Sequence, residues 1–480
     1  MSRVFQHYHV FALGQHRGHP RLWLEGRYLE RAGFHSGTGY TIEVGPLRVV
    51  LRLAGEGDRV VSGKDTATGR KPVIELNRAA LLGSLCDFDR VRVVVCDAEI
   101  HVMPLASELK RRRRLHRTAD RLRDGQPLQI GSLSHGGGVL SHALHTGLND
   151  AGCAVELAFA NEVRADLCMH AASANDCWQD STIGLVAPMQ ELAIDNWAMS
   201  HLPECDVLEA GIPCSGASIA GRSKRGLVHP EAHPEVGHLV VAAVALIAQC
   251  NPLVVLIENV VPYQSSASAD ILRNSLRDLG YDVHEAVVDS AQFNALEHRK
   301  RFVLVAVTQG LSFDLGVIQL HLPTPRTLRL GDVLEAPDQV SGRWSEMAGL
   351  KRKQVRDKAD GKGFNMQIFG AESDRICTVT KGYAKVRSTD PKVQHPDQPE
   401  LLRQITAVEH ARVKQVPEHL IEGLSETIAH ELLGQSVVYE PFRAIGKAIG
   451  DTLQRWRETL TANPDGARMA NVATLRKVSA

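Results

Sequence analysis

The sequence predicts an α/β fold, a doubly wound and mostly parallel sheet, with a smaller β-rich domain ahead of it. Three observations lead there. Aromatic residues make up only 5% of the chain while Val, Ala and Leu are abundant, the usual content of a parallel sheet covered by helices. From Gln129 the pattern runs strand, glycine-rich turn, helix, strand, acid. Farther on, the β-rich apolar runs 253–257 and 303–307 read as buried strands.

At 480 residues, 44% hydrophobic and 23% charged, the chain can build a large core and roughly two to four domains. Disorder throughout is excluded. Lys+Arg and Asp+Glu both total 55, so any attraction to nucleic acid must come from local clusters. Nine cysteines, with no CxxC pair and no apolar N-terminal signal segment, argue for a reducing compartment, the cytoplasm, and against a disulfide framework. The apolar stretch 239–261 is broken by Gln249, Cys250, Asn251 and Pro252. It reads as a buried helix followed by a buried strand, not as a membrane span.

Residues 1–20 are His-rich and aperiodic and read as a flexible lead-in. Residues 21–105 carry one order of elements twice. Leu22 and Leu24 give a strand, 27–32 a helical turn, Gly33 a stop, then Tyr40, Ile42, Val44 and Leu47, Val49, Leu51 alternate as strands. The order returns with a strand at 73–76, a turn at 78–82, Gly83, then Val91, Val93, Val95 and Ile100, Val102. Each unit alone buries too little apolar surface, so the two copies are expected to pair into one domain. Residues 106–126 read as a basic helical linker containing Lys110-Arg-Arg-Arg-Arg114, Arg117, Arg121 and Arg123. Such a run either neutralises phosphates in a salt-dependent way or is a solvated linker face.

In residues 127–307, Leu128, Ile130 and Leu133 lead into Ser134-His135-Gly136-Gly137-Gly138, followed by a helix over 140–148. Glycines at a strand-to-helix turn let backbone N–H groups approach a ligand at the positive end of a helix dipole. The next strand, 155–159, ends at Asn161-Glu162, and an acid at that tip can accept two ribose hydroxyls. A nucleoside-like ligand is expected. In Asp206-Val-Leu-Glu-Ala-Gly-Ile-Pro-Cys214 a strand-like run ends in a Pro-Cys turn that presents a thiol at the carboxyl end of a strand. Glu258 and Asn259 end the run from Leu253, and a carboxyl group buried there is expected to donate a proton at neutral pH. Arg299 and Arg301 share one side of an extended chain and are suited to orient that carboxylate and a phosphate.

On these residues the chain resembles the DNA (cytosine-5) methyltransferase family, between about Gln129 and Leu453. The turn 131–138 is similar to the family's glycine-rich cofactor loop, and Glu162 to its ribose-binding acid; Asp180 matches the position near the adenine. Pro213-Cys214 resembles the nucleophile turn, 258–260 the Glu-Asn-Val triplet, and 297–301 the Gln-x-Arg-x-Arg segment. Residues 403–412 resemble the family's Arg-x-Leu-Thr-x-x-Glu-x-x-Arg helix start, and 434–437 its closing Gly-Asn-Ser-Val turn. The departures are Ser132 for Asp, Ser134 for an aromatic, Ser215 for Gln, Glu297 for Gln and Gln435 for Asn.

The resemblance implies a Rossmann-like methyltransferase core over 127–307, a target-recognition region over 308–402, a part completing the core over 403–462, and a tail over 463–480. It implies S-adenosyl-L-methionine as cofactor, held by Ser134, His135, Gly136, Gly138, Glu162, Asp180, Leu239, Gln435 and Ser436, with Cys214, Glu258, Arg299 and Arg301 catalytic and no metal. Asn259 is expected to fix its loop by hydrogen bonds. Residues 218–237 resemble a mobile lid over DNA, and the histidines in or beside it, His229, His233 and His238, are expected to be solvated or to contact phosphate. The implied partner is double-stranded DNA in a bacterial or phage-derived, nucleoid-associated setting, with a restriction endonuclease as a further possible partner and the oligomeric state open. Two other readings stay open: a transfer-RNA-type cytosine-5 methyltransferase, and a DNA-binding regulator that has lost turnover. In the first copy of the N-terminal repeat, 21–34 and the strand after it resemble the SymE-like, AbrB-type fold. That resemblance implies nucleic-acid binding, beside the alternative of a packing or dimerisation module.

Overall fold

The computed structural model describes residues 5–67, 69–213, 229–326 and 328–462. Cys214, the first part of the expected lid and the expected tail lie outside the described residues. The chain divides into two compact units inside one helix, between His116 and Arg117.

The N-terminal unit contains β1 (His7–Ala12), β2 (Gly14–His16), β3 (His19–Glu25), α1 (Arg27–Arg31), β4 (Gly39–Gly45), β5 (Arg48–Leu53), β6 (Arg59–Val60), β7 (Ser62–Thr66), β8 (Gly69–Leu76), α2 (Ala79–Leu82), β9 (Arg90–Cys96) and β10 (Glu99–Pro104). The order β3-α1-β4-β5 returns as β8-α2-β9-β10. Corresponding strands of the two copies meet: Leu22 lies opposite Leu76 between β3 and β8, and Val49 opposite Val102 between β5 and β10. The alternating residues Val49, Leu51, Val91, Val93 and Val95 are all buried in one core.

Two expectations are corrected here. Residues 1–20 are not a flexible lead-in from His7 onward: β1 pairs antiparallel with β9 along its whole length, and β2 pairs with β3. The basic segment is a helix, α3 (Ala106–Asp124), but, Arg123 apart, its arginines are not a fully solvated face. Arg112 stacks on the Phe88 ring, its Cζ 3.9 Å from the ring centre, and Arg114 is 1% exposed. Arg117 Nε and Arg121 Nε lie 3.1 and 3.3 Å from the carboxylate of Asp206. Asp206 is itself fully buried and also accepts from Thr118 Oγ1 at 2.6 Å and the Gln129 N–H at 2.9 Å. A buried carboxylate demands such partners, and the arginines supply them.

The second unit is built on β11 (Leu128–Leu133), α4 (Val139–Asp150), β12 (Val155–Asn161), α5 (Ala165–Ala174), β13 (Ile183–Leu185), α6 (Met189–Ile194), α7 (Asn196–His201), β14 (Val207–Gly211), α8 (Leu239–Cys250), β15 (Val254–Asn259), α9 (Ala267–Asp278), β16 (Tyr281–Asp289) and β17 (Lys300–Thr308). Among the described residues these strands form a seven-stranded sheet in the order β13-β12-β11-β14-β15-β17-β16. It is parallel from β13 to β15, and β17 runs antiparallel to both its neighbours. This is the doubly wound, mostly parallel sheet expected. The stretch 239–261 is α8 followed by β15, and among the described residues no helix is long and apolar enough to cross a membrane.

Beyond β17 the chain forms α10 (Ala348–Ala359), the short strands β18 (Ile368–Phe369), β19 (Lys392–Gln394) and β20 (Leu402–Arg403), then α11 (Ala407–Val413), α12 (Glu426–Gln435) and α13 (Tyr439–Ala462). A separate small core of Leu330, Ile376, Tyr383, Val393 and Ile405 holds the region together. Thr406 and Glu409 close a capping box at the start of α11, and Glu409 takes both guanidinium nitrogens of buried Arg403 at 2.6 Å. The segment 403–412 thus staples its own helix. The closing helix α13 returns to pack on α4, where Gly147 faces the Arg443 carbonyl and Gly446 the Leu144 carbonyl too closely for any side chain.

Candidate functional site

The carboxyl ends of β11, β12, β14 and β15 converge, as a parallel sheet with a switch in strand order requires. Past β11 the chain turns through positive φ at Ser134 (55°), Gly136 (58°) and Gly138 (76°) into α4. Gly138 is obligatory on two grounds. Its φ is left-handed, and a Cβ there would strike Asn175 Nδ2 and the His135 ring. A Cβ at Gly137 would strike Leu432 of α12, which brings the closing segment over the loop.

Glu162, just past β12, accepts the Gly136 N–H at 2.8 Å and the Arg164 N–H at 3.0 Å, one on each carboxylate oxygen. A carboxylate has roughly four lone-pair sites, so capacity for two hydroxyl donors remains. The glycine turn, the helix start and this acid fit a nucleoside cofactor. Asp180 is not with them. It lies in an exposed turn ahead of β13, on the amino-terminal side of that strand, whereas the ligand-binding side is the carboxyl one. Leu239 is likewise a core residue at the start of α8, packed with Leu133, Phe159 and Leu208. Gln435 and Ser436 end α12; Gln435 is exposed, and the Ser436 hydroxyl donates to the Leu433 carbonyl at 2.8 Å.

Beneath the loop lies a buried polar chain that the sequence did not announce. The Trp178 indole N–H donates to His135 Nε2 at 3.1 Å. An indole is only a donor, so the His135 proton sits on Nδ1 and points at Ser132 Oγ, 2.8 Å away. Ser132 in turn donates to Glu209 on β14, its register partner across the sheet. Burial holds His135 neutral, its pKa lowered to about 3. Burial pushes Glu209 up to about 8, against the Ser132 hydrogen bond and with help from the charge of Glu258. One of its oxygens, Oε1, has no hydrogen-bond partner.

At the next strand end, Glu258 stands opposite Gly211 in the β14–β15 register. Its Oε1 is 2.6 Å from Arg301 Nε. Asn259 Nδ2 donates to the Ile212 carbonyl at 3.1 Å while its Oδ1 accepts the Val260 N–H, so it does grip the chain just ahead of Pro213. The expected pairing of Arg299 with Glu258 is corrected. Arg299 Nη1 donates to Glu297 Oε1 at 3.2 Å, and Nη1 and Nη2 both reach the Gly434 carbonyl, at 3.2 and 3.3 Å. Regular strand geometry begins only at Lys300, so Arg299 and Arg301 do not keep the common side that an extended chain would give them.

Lys414, absent from the sequence-based candidates, is fully buried and donates to the Ser436 carbonyl at 3.0 Å. Its Nζ is 3.7 Å from Glu297 Oε2. Burial and the nearby Arg299 push its pKa down, with Glu297 opposing. Arg299 and Lys414 thereby fix the turn 434–436. His233, expected to be solvated, is 2% exposed, and its Nδ1 accepts the Glu235 N–H at 3.2 Å. In the segment 381–387, which carries Lys381, Lys385 and Arg387, Tyr383 is buried, its hydroxyl donating to the Pro391 carbonyl at 2.8 Å; it belongs to the core. The exposed cations of α10 are Arg352, Arg356 and Lys358.

The family described as C-5 cytosine-specific DNA methylase matches residues 140–451. Type II methyltransferase M1.ScrFI of Lactococcus lactis subsp. cremoris is 27% identical over 259 residues, 53% of this chain and 64% of that protein. Type II methyltransferase M.NlaX of Neisseria lactamica is 28% identical over 52% of this chain and 77% of its own length. A DNA-cytosine methyltransferase of Escherichia coli (strain K12) is 31% identical over 315 residues, 57% of this chain and 66% of that protein. The match thus spans just under two thirds of the first and third of these relatives. Among solved structures, S. pombe Dnmt2 methyltransferase superposes with a TM-score of 0.54 at 20% identity, covering 69% of this chain and 99% of that one, a likeness of fold. The family's pattern covers most of the second unit, on a sheet of the kind its fold requires, and the chain belongs to the C-5 cytosine-specific DNA methylase family.

Proposed function

We propose that the protein methylates C5 of cytosine in double-stranded DNA, using S-adenosyl-L-methionine and a covalent intermediate on a flipped-out base. The observation that carries this reading is the carboxylate of Glu258, set at a strand end opposite Gly211 and held by Arg301, with Asn259 gripping the chain that leads into Pro213-Cys214. C5 of cytosine is a poor nucleophile until the ring loses its aromaticity. In this reading the Cys214 thiolate adds to C6 while Glu258 protonates N3, which places enamine character on C5. The cofactor, when bound, supplies an electrophilic methyl group to that carbon. Water then takes the C5 proton, the electron pair of the C5–H bond forms the C5–C6 double bond as the S–C6 bond breaks and releases the thiolate, and the N3 proton returns to Glu258.

Arg301 orients Glu258 by a charge-assisted hydrogen bond. Glu162 and the loop 134–138 hold the nucleoside part of the cofactor, with Ser436 and Gln435 at the closing turn. Residues 308–402 serve as the target-recognition region, and the exposed arginines and lysine of α10 supply its phosphate or base contacts.

Bisulfite sequencing of DNA from cells expressing the protein, beside a Cys214→Ala control, tests the reading. Cytosines protected from conversion in a sequence-specific pattern, and only with Cys214, are expected. Equal conversion in both samples overturns it, as does labelled methyl transfer in vitro to transfer RNA but not to duplex DNA.

A further inference from the structure

We propose that His142, Asp176 and His419 bind a single divalent transition-metal ion of the zinc class, apart from the residues assigned to methyl transfer. The three come from α4, the turn after α5 and the short helical turn Glu418–Ile421, far apart in sequence and brought together by the fold. One ligand atom from each lies within 4.8 Å of the other two. His142 Nε2 is 2.8 Å from Asp176 Oδ1, and His419 Nε2 is 3.9 Å from the same oxygen. Around a tetrahedral zinc ion, with bonds near 2.0 to 2.1 Å, neighbouring ligand atoms sit about 3.4 Å apart. The two observed spacings bracket that value. Two imidazoles and one carboxylate suit zinc and its transition-series neighbours rather than magnesium or calcium, which prefer oxygen ligands throughout.

The surroundings of the three fit the same purpose. A metal-bound histidine generally has its other ring nitrogen fixed by a polar partner. His142 Nδ1 is 2.6 Å from the Tyr439 hydroxyl, which is itself 2.8 Å from Thr146 Oγ1. Each backbone segment is also tied down by bonds outside the site. Asn175 Nδ2, next to Asp176, donates to the Gly138 carbonyl at 3.1 Å, and His170 Nε2 lies 2.9 Å from the Leu420 carbonyl beside His419. Asp176 and His419 are exposed while His142 is buried, so an ion can enter from solvent onto a fixed inner ligand. Three protein ligands leave a fourth position for water. A bound ion would clamp the Asn175–Trp178 turn onto the helix that follows the glycine loop.

The test is calorimetric titration of tag-free, chelator-stripped full-length protein with zinc chloride. One ion per chain is expected. His419→Ala and Asp176→Asn, both substitutions of exposed side chains, should each weaken binding by at least about tenfold, and Tyr439→Phe by about tenfold through the outer contact. Cys214→Ala, which abolishes the proposed methyl transfer, should bind zinc as the unaltered protein does. Absence of one-site binding overturns the proposal, as does zinc affinity in the His419→Ala and Asp176→Asn proteins equal to that of the unaltered protein. Neither result bears on the methyl-transfer reading, which has its own test.

Discussion

Arg301 Nε lies 2.6 Å from Glu258 Oε1, while Arg299, two residues earlier, is turned to the Gly434 carbonyl. The two arginines therefore fail differently when removed. Arg301→Ala should cut single-turnover transfer of labelled methyl to DNA by about a hundredfold, on the scale of losing one preorganised electrostatic partner, with little change in melting temperature. Arg299→Ala strips partners from buried Glu297 and from a helix-end carbonyl and should cost about 3–5 kcal/mol of stability, read by urea denaturation. Equal effects of the two substitutions on stability would contradict the assignment.

Asp206 is a buried anion compensated by Arg117, Arg121 and Thr118. Asp206→Ala takes from Arg117 and Arg121 the carboxylate they share, leaving Arg117 its ion pair with Glu204 at 3.1 Å, and should destabilise the second unit by about 3–5 kcal/mol. Because these arginines are committed inside the protein, Arg117→Gln should leave the salt dependence of DNA affinity unchanged. A phosphate-contacting arginine would instead lower the slope of log affinity against log salt by about one.

Glu209 gives stability a pH dependence of unusual sign for a carboxyl group. Its folded pKa of about 8 stands above the ordinary value of 4.5, so the folded state holds a proton that the unfolded chain releases between those two values. The resulting penalty grows as pH rises from about 4.5 to about 8 and is constant above that. His135, lowered to about 3, acts on the other side: stability falls as pH drops from about 6.5, where the unfolded imidazole gains its proton. Glu209→Gln should flatten the alkaline side of a melting-temperature profile between pH 5 and 9 and leave the acid side intact. A profile unchanged by Glu209→Gln would show that its carboxyl is ionised in the folded protein.

Gly138→Ala would place a methyl group against Asn175 and the His135 ring at a φ of 76°. Affinity for S-adenosylmethionine, measured by calorimetry, should fall by more than about tenfold, since one left-handed alanine costs about 1–2 kcal/mol before any collision is counted. Gly136→Ala has open space around it and should show the smaller, purely conformational loss.

What could be read from the sequence was local. The strand, glycine turn and helix of 128–150, the acid at 162, and the strand ends at 211 and 259 are each written in a short segment whose pattern needs no distant partner. What escaped was set by tertiary pairing. His7 to Ala12 carries no clean alternation because Tyr8 and His9 stay exposed, and its strand exists through pairing with β9. The arginines of α3 look like any basic linker until buried Asp206 is placed against them. Arg299 and Arg301 were separated by the point at which strand geometry begins; Trp178 and Lys414 sit in segments with no motif of their own, and Glu209, inside the run that leads to Cys214, has a role only through Ser132 on the neighbouring strand.

The backbone-to-backbone seating of α13 on α4, through Gly147 and Gly446, also orders events in time. A nascent chain emerging from the ribosome would expose the greasy flank of α4 for some three hundred residues of synthesis before its cover is made. Premature termination ahead of α13 should therefore yield an aggregating fragment instead of a partly competent protein.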